Sequence, residues 1–450
     1  MRSFGKERLS PTNKVEPVIY PRADHNISRK SINPNALKVL YRLNQSGYGA
    51  YLVGGCVRDL LLGQRPKDFD VATDAQPEEI RRIFKNSRII GKRFRLAHIV
   101  FGKEIIEVAT FRTHHQNATH EHHGHTVKGM IMRDNVFGSI EDDAWRRDFS
   151  INALYYNIAD FSILDYTDGM KDIQSKLVRI IGDPDKRYHE DPVRLLRAIR
   201  FMAKLDLKIS PETEEPITRL SYLLNNVSSA RLFQEVLKFF QEGATLKTVK
   251  LLQKYKLFAQ LFPQTAAATD HPEAMALLTV ALENTDQRTQ EGKSVSPAFL
   301  LAVFLWRPII QHALLLEAEG LPIYVAVEKS IHHVTKLQTE RLAIPRNLLV
   351  TVHDICILQH RFTQRFGLRP HRTLEHPRYR AGYDLLMLRA QAGEPVQELY
   401  EWWTTFAEAE PAEREKMVLA IGKGTPAKKR RKPRGKKRAP IKPPVDQAQN

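Results

Sequence analysis

Cysteine is nearly absent from this sequence: Cys56 and Cys356 are the only two in 450 residues. They stand far apart and outside any metal-ligand spacing, which argues against a disulfide framework or a cysteine zinc site and fits a reducing compartment. The N-terminus lacks the apolar core of a signal peptide. Long apolar runs are missing as well. The strongest, Ala298 to Trp306, meets Arg307-Pro308 and is too short to span a bilayer, so a buried core helix is expected there. These absences predict a soluble, cytoplasmic chain with no membrane partner. Acidic residues are also in deficit, 51 against 69 Lys and Arg, for a formal charge of +18 and a pI near 9.7. Such an excess favours a polyanionic partner.

What is present divides along the chain. Residues 1–32 are polar and patternless, and are expected to form a loose leader. Asn33-Pro34 supplies a helix start, with Leu37, Leu40 and Tyr41 at helical spacing. Ala50 to Val53 reads as a strand, Gly54-Gly55 as a tight turn, Val57 to Leu62 as a short helix ended by Gly63, and Asp68 to Ala72 as a second strand. Arg95–Phe101 and Glu104–Phe111 flank Gly102-Lys103, the two-residue loop of a β-hairpin. Mixed elements of this kind predict an α+β fold: a small mixed-sheet unit over residues 34–182, then helices over 183–270 and 271–422. One helix is expected to begin at Asp191-Pro192, and another to carry Leu232, Val236 and Phe240 up to Gly243. Residues 423–450 hold eleven Lys and Arg against one acid, Asp446. They have too little apolar surface to fold and are expected to be a disordered basic tail.

The sharpest chemical signal is Lys67-Asp68-Phe69-Asp70-Val71. Alternation along a strand puts Asp68 and Asp70 on one face and sends Phe69 and Val71 into the core. Two carboxylates so close repel unless cations neutralise them, and a metal pair held there could activate a 3′-hydroxyl and stabilise departing pyrophosphate. A bare DxD is more often a solvated strand end. Its neighbours change that weighting. Gly54-Gly55 follows a strand and precedes a helix, where free backbone N–H groups can cradle phosphates, and Arg58 can add a charge-assisted contact. Two residues compete as third carboxylate: Glu107 on the second hairpin arm, and Asp148 in Arg146-Arg147-Asp148. At the start of the next helix Asp191, Arg194 and Arg197 can read a base edge, the carboxylate accepting from an exocyclic amine and the guanidinium donating to ring acceptors. Two other features carry less. His114, His115, His120, His122, His123 and His125 crowd a polar loop that no helix or strand fixes, and read as a substrate loop. His353-Asp354 sits in an apolar helical run and reads as core and cap chemistry.

In order and spacing, Gly54-Gly55, Arg58-Asp59, Asp68/Asp70, Arg146-Arg147-Asp148 and Glu190-Asp191 with Arg194 and Arg197 resemble the class II nucleotidyltransferases. That superfamily contains the CCA-adding tRNA enzymes and the bacterial poly(A) polymerases. The motifs span about residues 34–270. The resemblance implies a catalytic head over 34–182, a nucleotide-selecting neck over 183–270, and an RNA-holding body over 271–422 with its tail. It implies Asp68 and Asp70 as the catalytic, metal-binding pair and Asp148 as a further active-site acid. Gly54, Gly55, Arg58, Arg147, Asp191, Arg194 and Arg197 are the implied nucleotide contacts, with Mg²⁺ as cofactor and Mn²⁺ the alternative. Ile89-Ile90-Gly91-Lys92-Arg93-Phe94-Arg95-Leu96-Ala97-His98-Ile99 resembles a segment of the poly(A) polymerase branch, and so does the basic tail. The expected activity is therefore template-independent addition of AMP from ATP to RNA 3′ ends, promoting RNA turnover, with RNA, ATP and proteins of the RNA-decay machinery as partners. A CCA-adding enzyme is the first rival. A non-catalytic RNA-binding protein on the same scaffold is the second, and the intact aspartate pair weighs against it.

Overall fold

The computed structural model describes residues 16–91, 95–113, 126–127, 130–131, 136–269 and 272–422. The histidine-rich loop, the basic tail, and Lys92, Arg93 and Phe94 of the branch segment lie outside the described residues.

Eight strands form one mixed sheet: β1 Val18–Tyr20, β2 Ala50–Val53, β3 Asp70–Thr73, β4 Ser87–Ile90, β5 Leu96–Phe101, β6 Glu104–Thr110, β9 Leu154–Asn157 and β10 Ile163–Asp165. Between the last two groups, β7 Thr126–Val127 and β8 Met130–Ile131 make a separate small hairpin. The order across the sheet is β1-β10-β9-β2-β3-β6-β5-β4. All neighbours run antiparallel except β3 and β6, which are parallel. The β5–β6 hairpin closes Phe101 onto Glu104, with Gly102 in the left-handed region at φ 63°.

Side chains alternate across this sheet, and the two faces bury different clusters. Leu52, Val71 and Val108 enter the main core, which also holds the helix α1 Pro34–Gln45 through Ala36, Val39, Leu40 and Leu43. Val53, Ala72, Phe111, Ala144 and Tyr155 form a smaller cluster on the opposite face. Asp70 is two residues from Ala72 and therefore belongs to that second face. The main core continues unbroken from Ile27 to Leu388, so sheet and helices share it. A parallel pair, β11 Leu177–Val178 with β12 Lys208–Ile209, stitches the sheet region to the helices beyond.

α1 starts as its sequence requires, with Pro34 at the first position and the Asn33 side chain accepting from the amides of Asn35 and Ala36. Four expectations are corrected. Val18–Tyr20 adds an edge strand instead of belonging to a patternless leader. Tyr41 is 38% exposed because the buried stripe of α1 runs through Val39 and Leu43 instead. The second strand begins at Asp70, leaving exposed Asp68 in the approaching loop. The apolar helix does not stop at Arg307-Pro308; it runs Pro297–Ala318, with Pro308 buried inside it. By length and composition that helix could cross a membrane, yet Leu300, Leu301, Val303, Phe304, Leu305 and Ile309 are buried in the core.

Candidate active site

Strand register builds the site. Val53 of β2 faces Asp70 of β3, Asp70 faces Glu107 of β6, and Glu107 faces His98 of β5. Partners at one register level share a face, so two carboxylates stand side by side on the second face. His98 Nε2 lies 3.2 Å from Glu107 Oε1. Burial, then the charge of Glu107, push the Asp70 carboxyl up to about 6, with Asp68 adding to the effect and Arg147 opposing it. Burial beside two other acids makes this a position where a bound cation would favour the ionised carboxylate. The donor set of carboxylate oxygens suits a hard divalent ion.

The wall behind Asp70 is the Gly54 turn. Gly54 has φ 78°, and a Cβ there would lie 3.6 Å from Arg147 Nη1 and 4.0 Å from Asp70 Oδ2. Only glycine takes this conformation without strain, so the turn that brings Arg147 and Asp70 to one place depends on Gly54 through its backbone, the space for a Cβ being sufficient. The helix α2 Gly55–Leu61 begins at this turn.

Arg147 terminates the helix α3 Ile140–Arg146. Its Nη2 donates to Asp143 Oδ2 at 2.8 Å and its Nε to Tyr155 Oη at 2.9 Å, while Tyr155 Oη donates to Asp143 at 2.6 Å. Burial would raise the Asp143 carboxyl, but Arg147 and Arg146 outweigh it and hold the group ionised. Arg58 is turned inward. Its Nη1 donates to Asn152 Oδ1 at 2.7 Å, and its Nε donates to Asp59 at 2.9 Å.

Asp148 lies apart from the sheet-face acids in its bonding. It accepts from Arg197 Nε at 2.5 Å, from Asn152 Nδ2 at 3.2 Å and from the Phe149 amide at 2.9 Å. Burial would raise its carboxyl, yet Arg197 drives it far below the ordinary carboxylate value. Arg197 belongs to the helix α5 Val193–Leu205, which follows α4 Pro184–Glu190. Asp191 precedes α5, its Oδ1 accepting from the Val193 amide and its Oδ2 from Arg231 of α6 Ser229–Gln241 at 2.8 Å. Arg194 is buried and donates to Glu190 at 3.0 Å and to the Arg187 carbonyl at 2.6 Å. Sequence reasoning assigned no role to Asn152, Asp143, Tyr155 or Arg231. Asp143 and Arg147 sit four apart on one helix face, a pairing the sequence does signal. The Arg231 contact spans 40 residues and has no local signal.

The sheet, with its paired carboxylates and glycine turn, defines a nucleotidyltransferase fold. The Thermotoga maritima CCA-adding enzyme complexed with tRNA is similar in structure, with TM-score 0.57 at 20% identity over 87% of this chain and 87% of that one. The description "Poly A polymerase head domain" matches residues 50–179, "Probable RNA and SrmB- binding site of polymerase A" residues 206–269, and "Polymerase A arginine-rich C-terminus" residues 319–438. Poly(A) polymerase I of Salmonella typhimurium is 49% identical over 433 residues, covering 94% of this chain and 92% of that protein. The Bacillus subtilis CCA-adding enzyme is 37% identical over 226 residues, covering 50% of this chain and 55% of that protein. This chain belongs to the poly(A) polymerase I family.

Proposed function

We propose that the chain transfers AMP from ATP to RNA 3′ ends without a template, releasing pyrophosphate, at the Asp70 face of the sheet. The observation that carries this reading is the placement of Asp70 beside Glu107 and below the Gly54 turn. Asp68 and Asp70 would hold the divalent ion, which we assign as Mg²⁺, with Glu107 alongside. When bound, the ion supplies charge stabilisation at the α-phosphate and lowers the pKa of the attacking 3′-hydroxyl. The Gly54-Gly55 turn takes the triphosphate against its backbone, with Arg147 behind it offsetting phosphate charge. Arg58 and Asp148 act at one remove: both bond Asn152, and together they set the floor of the site.

For base selection, Arg197 has the best-placed group. Asp148 uses its Nε, and the guanidinium lies over the Phe201 ring, 5.3 Å from the centroid, with no second hydrogen bond among the described residues. Asp191 and Arg194 are engaged with Arg231 and Glu190, which aim this end of α5. We assign residues 34–182 to the catalytic head, 183–270 to the neck, 271–422 to the RNA-holding body, and 423–450 to an electrostatic RNA tether. The two cysteines are free and buried, in keeping with work in the cytoplasm. The test is a product gel from purified chain, a generic RNA and each nucleotide in turn. Adenylate tails from ATP that vanish in Asp70→Ala support the reading, and addition only of CCA to tRNA favours the CCA-adding rival.

A further inference from the structure

Outside the sheet, a second set of ligands stands on two packed helices. Glu328 and His332 are four apart on the helix Ile323–Leu342, hence on one face. His353 comes from the next helix, Arg346–Phe362. One ligand atom from each lies within 4.8 Å of the others. The two imidazole rings are 5.6 Å apart between centroids. Asp354 approaches the group from the side, its Oδ1 3.6 Å from His353 Nδ1.

We propose that Glu328, His332 and His353 form a transition-metal site, with Zn²⁺ as the fitting ion. Two imidazole nitrogens and one carboxylate oxygen make a three-ligand zinc set with a fourth position open to water. The same set is poor for Mg²⁺, which prefers oxygen ligands and keeps its own waters. Tetrahedral bonds of about 2.0–2.1 Å bring ligand atoms closer together than here, a contraction that side-chain rotation supplies. The supports are already rigid. Ala326, Val327, Ile331 and Val334 of one helix and Ile355, Cys356 and Leu358 of the other are buried, so the ligands project from backbones fixed by packing. Among the described residues, no ion-pair partner satisfies Glu328 or His332. Asp354 is placed to orient the His353 ring as a bound ion's outer partner. Zinc bound here cross-links two helices of the region matched as an arginine-rich C-terminus, and shares no ligand with the Asp70 row.

The test is Zn²⁺ titration calorimetry on the full chain, carrying Gln in place of His114, His115, His120, His122, His123 and His125 so that the loop cannot compete. The expected result is one bound equivalent that excess Mg²⁺ does not displace, together with a higher melting temperature in zinc. His332→Ala with His353→Ala should abolish both effects, while melting in EDTA and adenylate transfer stay as in the parent. Asp354→Asn should weaken zinc roughly tenfold. Zinc binding unchanged in the double variant, or no bound equivalent in the parent, overturns the proposal.

Discussion

Replacing Asp70 by Asn should stabilise the metal-free protein while ending its activity. The Asp70 carboxyl is raised from 3.8 to about 6 by burial and by Glu107, which amounts to about 3 kcal/mol against the ionised form. Partial exposure of the side chain screens some of this, leaving about 2 kcal/mol to be recovered. The sign follows from proton counts. Between pH 3.8 and about 6 the folded chain holds a proton that the unfolded chain has lost, so wild-type stability falls as pH rises through that window. Above it the full cost is present. Asn carries no charge and escapes the cost at every pH. In EDTA at pH 8 the variant should melt roughly 2–4 °C higher than wild type, and the difference should close as pH is lowered towards 4. Saturating Mg²⁺ should reverse the order, because only wild type gains a bound ion. Scanning calorimetry at both pH values, with and without Mg²⁺, measures all four conditions. An Asn variant that melts at or below wild type in EDTA at pH 8 would mean that burial and Glu107 do not outweigh Arg147 at Asp70.

Asp68→Ala and Asp70→Ala should each fold normally yet lose about a thousandfold or more of nucleotide addition, read by primer extension; near wild-type rates in either variant contradict the metal assignment. Glu107→Gln should raise the Mg²⁺ concentration needed for half-maximal rate, and an unchanged requirement removes Glu107 from the site. Arg197→Ala strands Asp148 and should cost about 3 kcal/mol in urea unfolding, besides blurring ATP against CTP. Adding Asp148→Asn should return most of that stability without restoring base preference, and equal urea midpoints for single variant and wild type argue against the buried pair. Deleting residues 423–450, with their eleven cations, should flatten the salt dependence of RNA binding by about 0.7 in log–log slope per lost phosphate contact, while saturating RNA restores kcat. Unchanged slopes leave the tail without a tethering role.

Local chemistry was legible wherever neighbours in sequence do the work. The Asn33-Pro34 start of α1, the Gly102-Lys103 hairpin and the turn at Gly54 all follow from residues within a few positions of one another. The α+β class and the helical remainder followed from the change in periodicity. The acids of the carboxylate row were visible, Glu107 as one of two candidates for the third carboxylate, but their juxtaposition was not. Asp68 and Asp70 announce themselves, but Glu107 reaches Asp70 only through the parallel pairing of β3 with β6, and nothing in the intervening residues encodes that crossover. Asp148 and Arg197 are 49 positions apart, so their ion pair, like that of Asp191 with Arg231, is a product of tertiary packing. The edge strand Val18–Tyr20 was missed because three apolar residues among polar ones carry little pattern. Pro308 misled in the opposite direction: tertiary burial overrides its usual helix-ending tendency.

Incorporation of single nucleotides by the purified full chain reads AMP transfer at the Asp70 face without intermediaries. A short RNA of arbitrary sequence is supplied with ATP, CTP, GTP or UTP separately, in Mg²⁺, and products are resolved on a sequencing gel. Adenylate transfer at the Asp70 face should give long ladders with ATP, little extension with the other three, and no ladder from Asp70→Ala. Extension confined to tRNA ends and stopping after CCA, or a full ladder from Asp70→Ala, would contradict it.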